Sequence, residues 1–362
     1  MKPPLAEPDA HERVPVALVR WFEQSRRPFP WRKVNPRTGR RDPYRALVSE
    51  FMLQQTQASR VEPAFRAFVR RFPSVRALAR AHPDEVRRAW SGLGYYRRAS
   101  MLHAAACEIV SRFGGVVPRD AAALRTLPGV GAYTAGAIAS IVYNEREPIV
   151  DGNVLRVLLR LHGRDGAADD PASVSWAWAQ ARHLAADPRV QPGEVNEGIM
   201  EFGALVCTPA APRCDACPLA RQCVARRTGR VHEIPRPKRP PPRAEVHLHV
   251  LVVTDLAGRV LLEQLPADGL WARLWAPPTI AGADADLARD AARRGLSLLP
   301  AGELARTLTH RRVRLRLWRA HVPTRPRPSR TRRWVLPDAL VDQGVPSAHV
   351  AAVRAALAAA RP

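Results

Sequence analysis

The stretch Leu124-Arg125-Thr126-Leu127-Pro128-Gly129-Val130-Gly131-Ala132-Tyr133-Thr134-Ala135 joins two helical patterns through a Pro-Gly-x-Gly turn. Leu124 and Leu127 carry the apolar spacing of one helix, and a second helix opens at the glycines. The first N–H groups of a helix have no partner inside it, and the helix dipole favours an anion there. Such a turn can hold a phosphate. An ordinary helical hairpin with glycine at its C-cap looks the same. What surrounds the turn adds weight to the first reading.

Around it, residues 14–225 read as a set of short helices. Apolar residues recur at helical spacing in Leu47, Phe51, Met52 and in Phe65, Phe68, Val69, Phe72. Breaks fall at Phe72-Pro73, His82-Pro83, Gly92-Leu93-Gly94 and Gly114-Gly115. The composition then shifts. Residues 227–243 form a basic, proline-rich linker whose centre is Ile234-Pro235-Arg236-Pro237-Lys238-Arg239-Pro240-Pro241-Pro242-Arg243. Beyond it the period changes to two. Val246, Leu248, Val250 and Val252 mark one strand, Arg259–Glu263 a second after the Asp255–Gly258 turn, and Arg312–Trp318 a third with a basic outer face. Helices are expected at 285–294 and 348–360, so the second domain is mixed α+β.

Two carboxylates stand out in the first domain. Asp151, 18 positions after Tyr133, precedes an apolar helix in Ile149-Val150-Asp151-Gly152-Asn153-Val154. An Asp there is ordinarily an N-cap, and capping also keeps a carboxylate ionised, fit to face a developing cation. Glu50 lies in Ser49-Glu50-Phe51-Met52-Leu53-Gln54-Gln55-Thr56 among apolar neighbours. It is either an exposed helical Glu or one whose pKa burial raises. One protonated and one ionised carboxylate form the pair that cleaves a glycosidic bond through an oxocarbenium-like state.

Cys207, Cys214, Cys217 and Cys223 form C-x6-C-x2-C-x5-C. Four thiolates so close in sequence can hold a metal or a cluster. A disulfide pair is disfavoured in a reducing compartment, and structural zinc is the serious competitor. The spacing differs from the paired C-x2-C of zinc ribbons. Cys107, on a helical pattern, reads as an inert core thiol.

The chain has 362 residues, about two domains' worth. Its 57 Lys+Arg against 33 Asp+Glu leave a net charge of +24, which favours a polyanion such as nucleic acid. An arginine-rich solubilising surface would show the same excess. No apolar run approaches the roughly 18 residues a spanning helix needs. No secretory signal precedes the first domain, and the cysteines are too few for a secreted disulfide framework. A soluble intracellular protein is expected.

The helix-hairpin-helix turn, the position of Asp151 and the cysteine loop together resemble the helix-hairpin-helix DNA glycosylases that carry a [4Fe-4S] cluster. Residues 49–56 and Gly92-Leu93-Gly94-Tyr95-Tyr96 are similar to the adenine DNA glycosylase (MutY) branch. The resemblance covers nearly the whole chain, most firmly residues 14–225. It implies an all-α catalytic domain over residues 1–226, with the hairpin at 124–137 and the iron–sulfur loop at 207–223, the linker at 227–243, and a Nudix-like α+β domain over 244–362. Gly269-Leu270-Trp271 and Trp275-Ala276-Pro277-Pro278 carry the Nudix likeness. Ala291-Ala292-Arg293-Arg294-Gly295 stands where the acidic metal box of Nudix hydrolases would fall, so lesion reading is expected there and pyrophosphate hydrolysis is not.

The resemblance further implies a monofunctional base excision repair enzyme. It would flip adenine, mispaired with 8-oxoguanine or guanine, out of duplex DNA and leave an abasic site. Glu50 would protonate adenine N7 and Asp151 would stabilise the oxocarbenium-like sugar, with Tyr133 and Asn153 supporting them. Glu197 would read adenine's exocyclic edge in a pocket formed with Arg27, Phe29, Trp31 and Arg32. Gln55 and Tyr95 would wedge into the base stack, although core packing is the competing reading for Tyr95 and Trp31. Gly129 and Gly131 would hold the DNA backbone, Cys207, Cys214, Cys217 and Cys223 the cluster. Thr309 and His310, within Leu308-Thr309-His310, stand in place of the family's Phe-Ser-His lesion-reading loop. A monomer of the bacterial type, cytoplasmic and nucleoid-associated, without a membrane partner, is expected. An endonuclease III-like lyase would need a Lys where Tyr133 stands. A zinc-bearing, non-catalytic DNA-binding protein would keep the charge and the cysteines but give Glu50 and Asp151 no task.

Overall fold

The structure, a computed structural model, describes residues 14–237, 244–308, 311–323 and 328–359. These pack as two units. The first comprises residues 14–80 and 101–237, the second residues 81–100 and 244–359.

The first unit is helical. Among its described residues the only β pairings are the isolated bridges Val34–Arg41 and Ala167–Arg236. The helix Pro43–Leu53 starts where Asp42 accepts hydrogen bonds from the backbone N–H of Tyr44 (2.9 Å) and Arg45 (3.2 Å), with Pro43 preset for the first turn. Leu47, Val48, Phe51 and Met52 are fully buried, so this helix is anchored along its apolar side. The helix Gly152–His162 starts at Asp151, which accepts from Val154 N at 2.7 Å. The helix Pro192–Leu205 lies against it. A Cβ on Gly203 would stand 2.7 Å from Asn153 Cβ, so only glycine permits this approach.

The turn between helices Ala121–Arg125 and Ala132–Tyr143 has the expected form. Leu124 and Leu127 are buried. Gly129 has φ +77°, and a Cβ there would fall 2.8 Å from both Met101 Cβ and Phe51 Cε1. Backbone conformation and sterics both demand glycine. Gly129, Gly131 and Ala132 are exposed, which leaves the opening turn of the second helix facing solvent. Cys107 departs from expectation: it is half-buried rather than in the core, with Sγ 3.6 Å from Ala79 O.

The second unit is built on a seven-stranded sheet: β1 (Ala244–Thr254), β2 (Val260–Gln264), β3 (Trp275–Ala276), β4 (Thr279–Ala281), β5 (Leu299–Thr307), β6 (Arg311–His321) and β7 (Arg332–Val335). The order is β3-β2-β1-β6-β5, with β4 pairing β1 and β7 pairing β2. Strands β1 and β6 run parallel in register from Ala244–Arg311 to Thr254–His321. On one face Leu248, Val250 and Val252 pack with the helix Ser347–Ala358; on the other Leu251 and Val253 pack with Leu287 of the helix Asp284–Arg294. Burial on both faces explains why β1 reads as a nearly unbroken apolar run.

Residues 81–100 join this unit through the helix Pro83–Ala89. Arg333 Nη2 approaches Asp84 Oδ2 at 4.0 Å, and a Cβ on Gly344 would lie 3.5 Å from Arg88 Cα. The basic face of β6 is partly neutralised. Arg314 pairs with Glu303 (3.2 Å) and Arg316 with Asp284 (3.0 Å), while Arg312 reaches Glu245 only at 4.0 Å. Arg294 is bound to Glu263 (2.8 Å) and Asp290 (2.6 Å). Arg294 thus sits in an internal ion-pair cluster. Among the described residues no helix is long and apolar enough to cross a membrane.

Candidate active site

A cleft opens in the first unit. Its lining includes Arg27, Phe29, Trp31, Arg32, Glu50, Tyr133, Asp151, Asn153 and Glu197. Nine side chains spread over about 170 positions of sequence are thus brought to one place.

Glu50 is decided by its surroundings. Its Oε2 is sealed from solvent and has no hydrogen-bond partner, although other parts of the residue reach the cleft. Burial pushes its carboxyl up to about 7, and the nearby Glu197 and Asp151 carboxylates push the same way. A hydrogen bond from Tyr133 and the charge of Arg41 oppose the rise and do not cancel it. The exposed-Glu reading therefore fails. Burial, followed by the charges of Glu50 and Asp151, holds the Tyr133 hydroxyl well above its ordinary pKa, so it stays a donor. It also lies 3.0 Å from Met200 Sδ.

Asp151 is held at both oxygens. Oδ1 accepts from Val154 N, and Oδ2 accepts from Asn153 Nδ2 at 2.9 Å. Asn153 Oδ1 in turn accepts from Arg156 Nη2 at 2.9 Å, and Arg156 also donates to Gly203 O (2.9 Å) and Cys207 O (2.8 Å). The carboxylate is oriented by a chain of hydrogen bonds that ends at the cysteine loop.

The floor carries an ion-pair network. Arg27 donates to Glu201 through Nε and Nη2, both at 2.8 Å. Arg32 bridges Glu197 (3.0 Å) and Glu201 (3.1 Å), and Arg41 grips both oxygens of Glu197. Burial alone would raise Glu201, but its bonds to Arg27 and Arg32 outweigh that and bring it down to about 2. Phe29 stacks on Trp31 with ring centroids 4.6 Å apart, and Trp31 meets Phe65 edge-on. Trp31 is both a cleft wall and a core aromatic. The sequence reading missed Arg41, Met200 and Glu201. Glu201, one helical turn after Glu197, was open to detection as a second acid on the same face; Arg41 sits in an arginine-rich loop and carries no such signal.

Gln55 and Tyr95 are not part of this cleft lining. Both are exposed and both adopt positive φ, +53° and +47°. A non-glycine residue there costs on the order of 1–3 kcal/mol, a strain that clusters at functional sites. For Tyr95, 44% exposed, the core reading is set aside. Thr309 and His310 lie outside the described residues.

The four clustered cysteines line a second, apolar pocket with Val157, Leu161, Phe202 and Leu219. None is in a disulfide. Arg160, 2% exposed, donates to Cys207 Sγ (3.4 Å), Thr208 O (2.7 Å) and Pro209 O (3.0 Å). Burial pushes the Cys217 thiol up to about 12 and also raises Cys223. Among the described residues no three His, Cys, Asp or Glu side chains are grouped to hold a single metal ion.

Comparison with known proteins places this geometry. Residues 48–175 match the HhH-GPD superfamily of base excision DNA repair proteins, and residues 249–355 match the NUDIX domain. The solved structure of a thermostable thymine-DNA glycosylase overlays with a TM-score of 0.54 at 26% identity, covering 60% of this chain and 97% of that one. The adenine DNA glycosylase of Mycolicibacterium smegmatis is 47% identical over 207 residues, 57% of this chain and 67% of the relative. The human adenine DNA glycosylase is 35% identical over 314 residues, 73% of this chain and 57% of the relative. The fold and its cleft define a helix-hairpin-helix base excision repair protein with a Nudix-like domain. Within that class, the chain belongs to the adenine DNA glycosylase family.

Proposed function

We propose that this chain hydrolyses the N-glycosidic bond of adenine mispaired with 8-oxoguanine or guanine in duplex DNA. One observation carries the reading: a sealed, unpartnered carboxyl oxygen of Glu50 shares a cleft with the doubly anchored carboxylate of Asp151. With its carboxyl raised to about 7, Glu50 holds a proton at neutral pH and gives it to adenine N7. The C1′–N9 bond breaks with its electron pair going to the base. Asp151 faces the resulting oxocarbenium-like sugar. Water adds at C1′ and loses a proton, leaving free adenine and an abasic site. Tyr133 holds Glu50 in place, and Asn153 aims Asp151. The helix opening at Gly131 and Ala132 offers N–H groups to a phosphate, and Gln55 and Tyr95 enter the stack.

With Tyr133 where a lyase has its Lys, strand scission through a Schiff base has no amine at that position, and the enzyme is monofunctional. The assay is strand nicking of adenine:8-oxoguanine and adenine:guanine duplexes, with and without alkali. Nicks only after alkali are expected. Nicks without alkali contradict the monofunctional reading, and no excised adenine contradicts the function.

We further propose that Cys207, Cys214, Cys217 and Cys223 hold a [4Fe-4S] cluster. All four cysteines line one apolar pocket, and Arg160 donates to the sulfur of Cys207. Bound there, a cluster would tie the loop to the helix Gly152–His162. Replacing any one of Cys207, Cys214, Cys217 or Cys223 by Ala is expected to lose iron and sulfide and to weaken DNA binding, whereas Cys107→Ala retains both. Iron and acid-labile sulfide analysis checks this; zinc without sulfide in the wild-type protein overturns it.

A further inference from the structure

We propose that Arg41 is a positioning residue of the adenine site: it clamps Glu197 from the entrance of the Glu50 helix and sets the charge that Glu50 faces. The inference rests on the function proposed above.

Arg41 immediately precedes Asp42, the N-cap of the helix Pro43–Leu53 that carries Glu50. Its side chain crosses to the helix Pro192–Leu205, where Nη1 donates to Glu197 Oε1 at 2.9 Å and Nη2 donates to Oε2. The pair is largely withdrawn from water, at 15% and 6% side-chain exposure. Arg32 supplies only one bond to the same carboxylate, at 3.0 Å, because its other contacts go to Glu201 and Arg27 O. Arg41 therefore fixes the plane of the Glu197 carboxylate, which a single bond leaves free to turn. It also ties together the helices that carry Glu50 and Glu197.

The consequence is electrostatic as well as geometric. Glu197 and Asp151 face Glu50 as anions and Tyr133 as a neutral donor, with Arg41 the cation among them and Arg32 one step behind, on Glu197. Without Arg41 the charge of Glu197 is half compensated, and Glu50 holds its proton to higher pH. At the same time Glu197 loses its orientation against the base. Burial and the two carboxylates raise Glu50 towards neutrality, and Arg41 works against that rise.

The test follows single-turnover adenine excision against pH for wild type, Arg41→Gln and Arg41→Lys. Misplacement of Glu197 is expected to slow Arg41→Gln about 10- to 100-fold at pH 6. The limb on which the wild-type rate falls with rising pH should move up by about half a unit or more. Arg41→Lys keeps the charge and loses the fork, so the limb stays while the rate falls. A second measurement does not depend on catalysis. Because the folded Glu50 holds its proton above the unfolded value, the melting advantage of Glu50→Gln grows with pH and levels off near 7. In the Arg41→Gln background it should level off at higher pH. A limb and a levelling point that both stay in place overturn the role of Arg41. A wild-type protein that excises no adenine sinks the proposed function instead, and the melting comparison still decides Arg41.

Discussion

Glu50→Gln is expected to slow single-turnover adenine excision by about 100- to 10,000-fold while mismatch binding stays close to wild type. The amide keeps the shape of the side chain but has no proton to give to N7. Wild-type excision should slow as pH rises through about 7, because the protonated fraction of Glu50 falls there. In Glu50→Gln that limb should vanish. The fold should not suffer. A carboxyl whose folded pKa is raised costs stability between its unfolded value and about 7, and that cost persists above 7; the amide removes it. Loss of activity together with a melting temperature at or above wild type is therefore the signature of a catalytic acid. Retention of more than about a tenth of the wild-type rate would contradict the role.

Asp151→Asn is expected to cost about 100- to 1,000-fold in the same assay, by removing the charge opposite the oxocarbenium-like sugar. The structure refines what should happen to stability. Asn is as good an N-cap as Asp, so the bond from Val154 N survives. The second oxygen, which accepts from Asn153 Nδ2, becomes an amide nitrogen, and one hydrogen bond is lost. That is about 0.5–1.5 kcal/mol. For a unit of this size it is a drop of a few degrees in Tm, about 2–4 °C per kcal/mol. Thermal melting beside single-turnover kinetics separates the two roles. If Tm collapses along with activity, Asp151 is a structural cap and nothing more.

Much of this protein was legible in its residues. Gly129 and Gly131, the spacing from Tyr133 to Asp151, the C-x6-C-x2-C-x5-C run and the change from helical to alternating period after the linker depend on neighbours a few positions away. Turn chemistry, capping and periodicity act over that range, so they specify elements, and their combination pointed to the family. The settings of Glu50 and Asp151 were visible as well, apolar for one and capping for the other.

The state of those groups came from packing between distant parts of the chain. Whether Glu50 is exposed or sealed depends on Tyr133, Asp151 and Glu197 arriving from three other parts of the chain. The grip of Arg41 on Glu197 spans 156 positions, and no local pattern foretells it. The basic face of β6 reads as free cations until Glu303 and Asp284 come alongside. Residues 81–100 sit in the middle of the helical sequence yet pack with the second unit. The physical reason is common to all of these. Desolvation and ion pairing are set by which surfaces meet in space, and local sequence constrains conformation far more than it constrains those meetings.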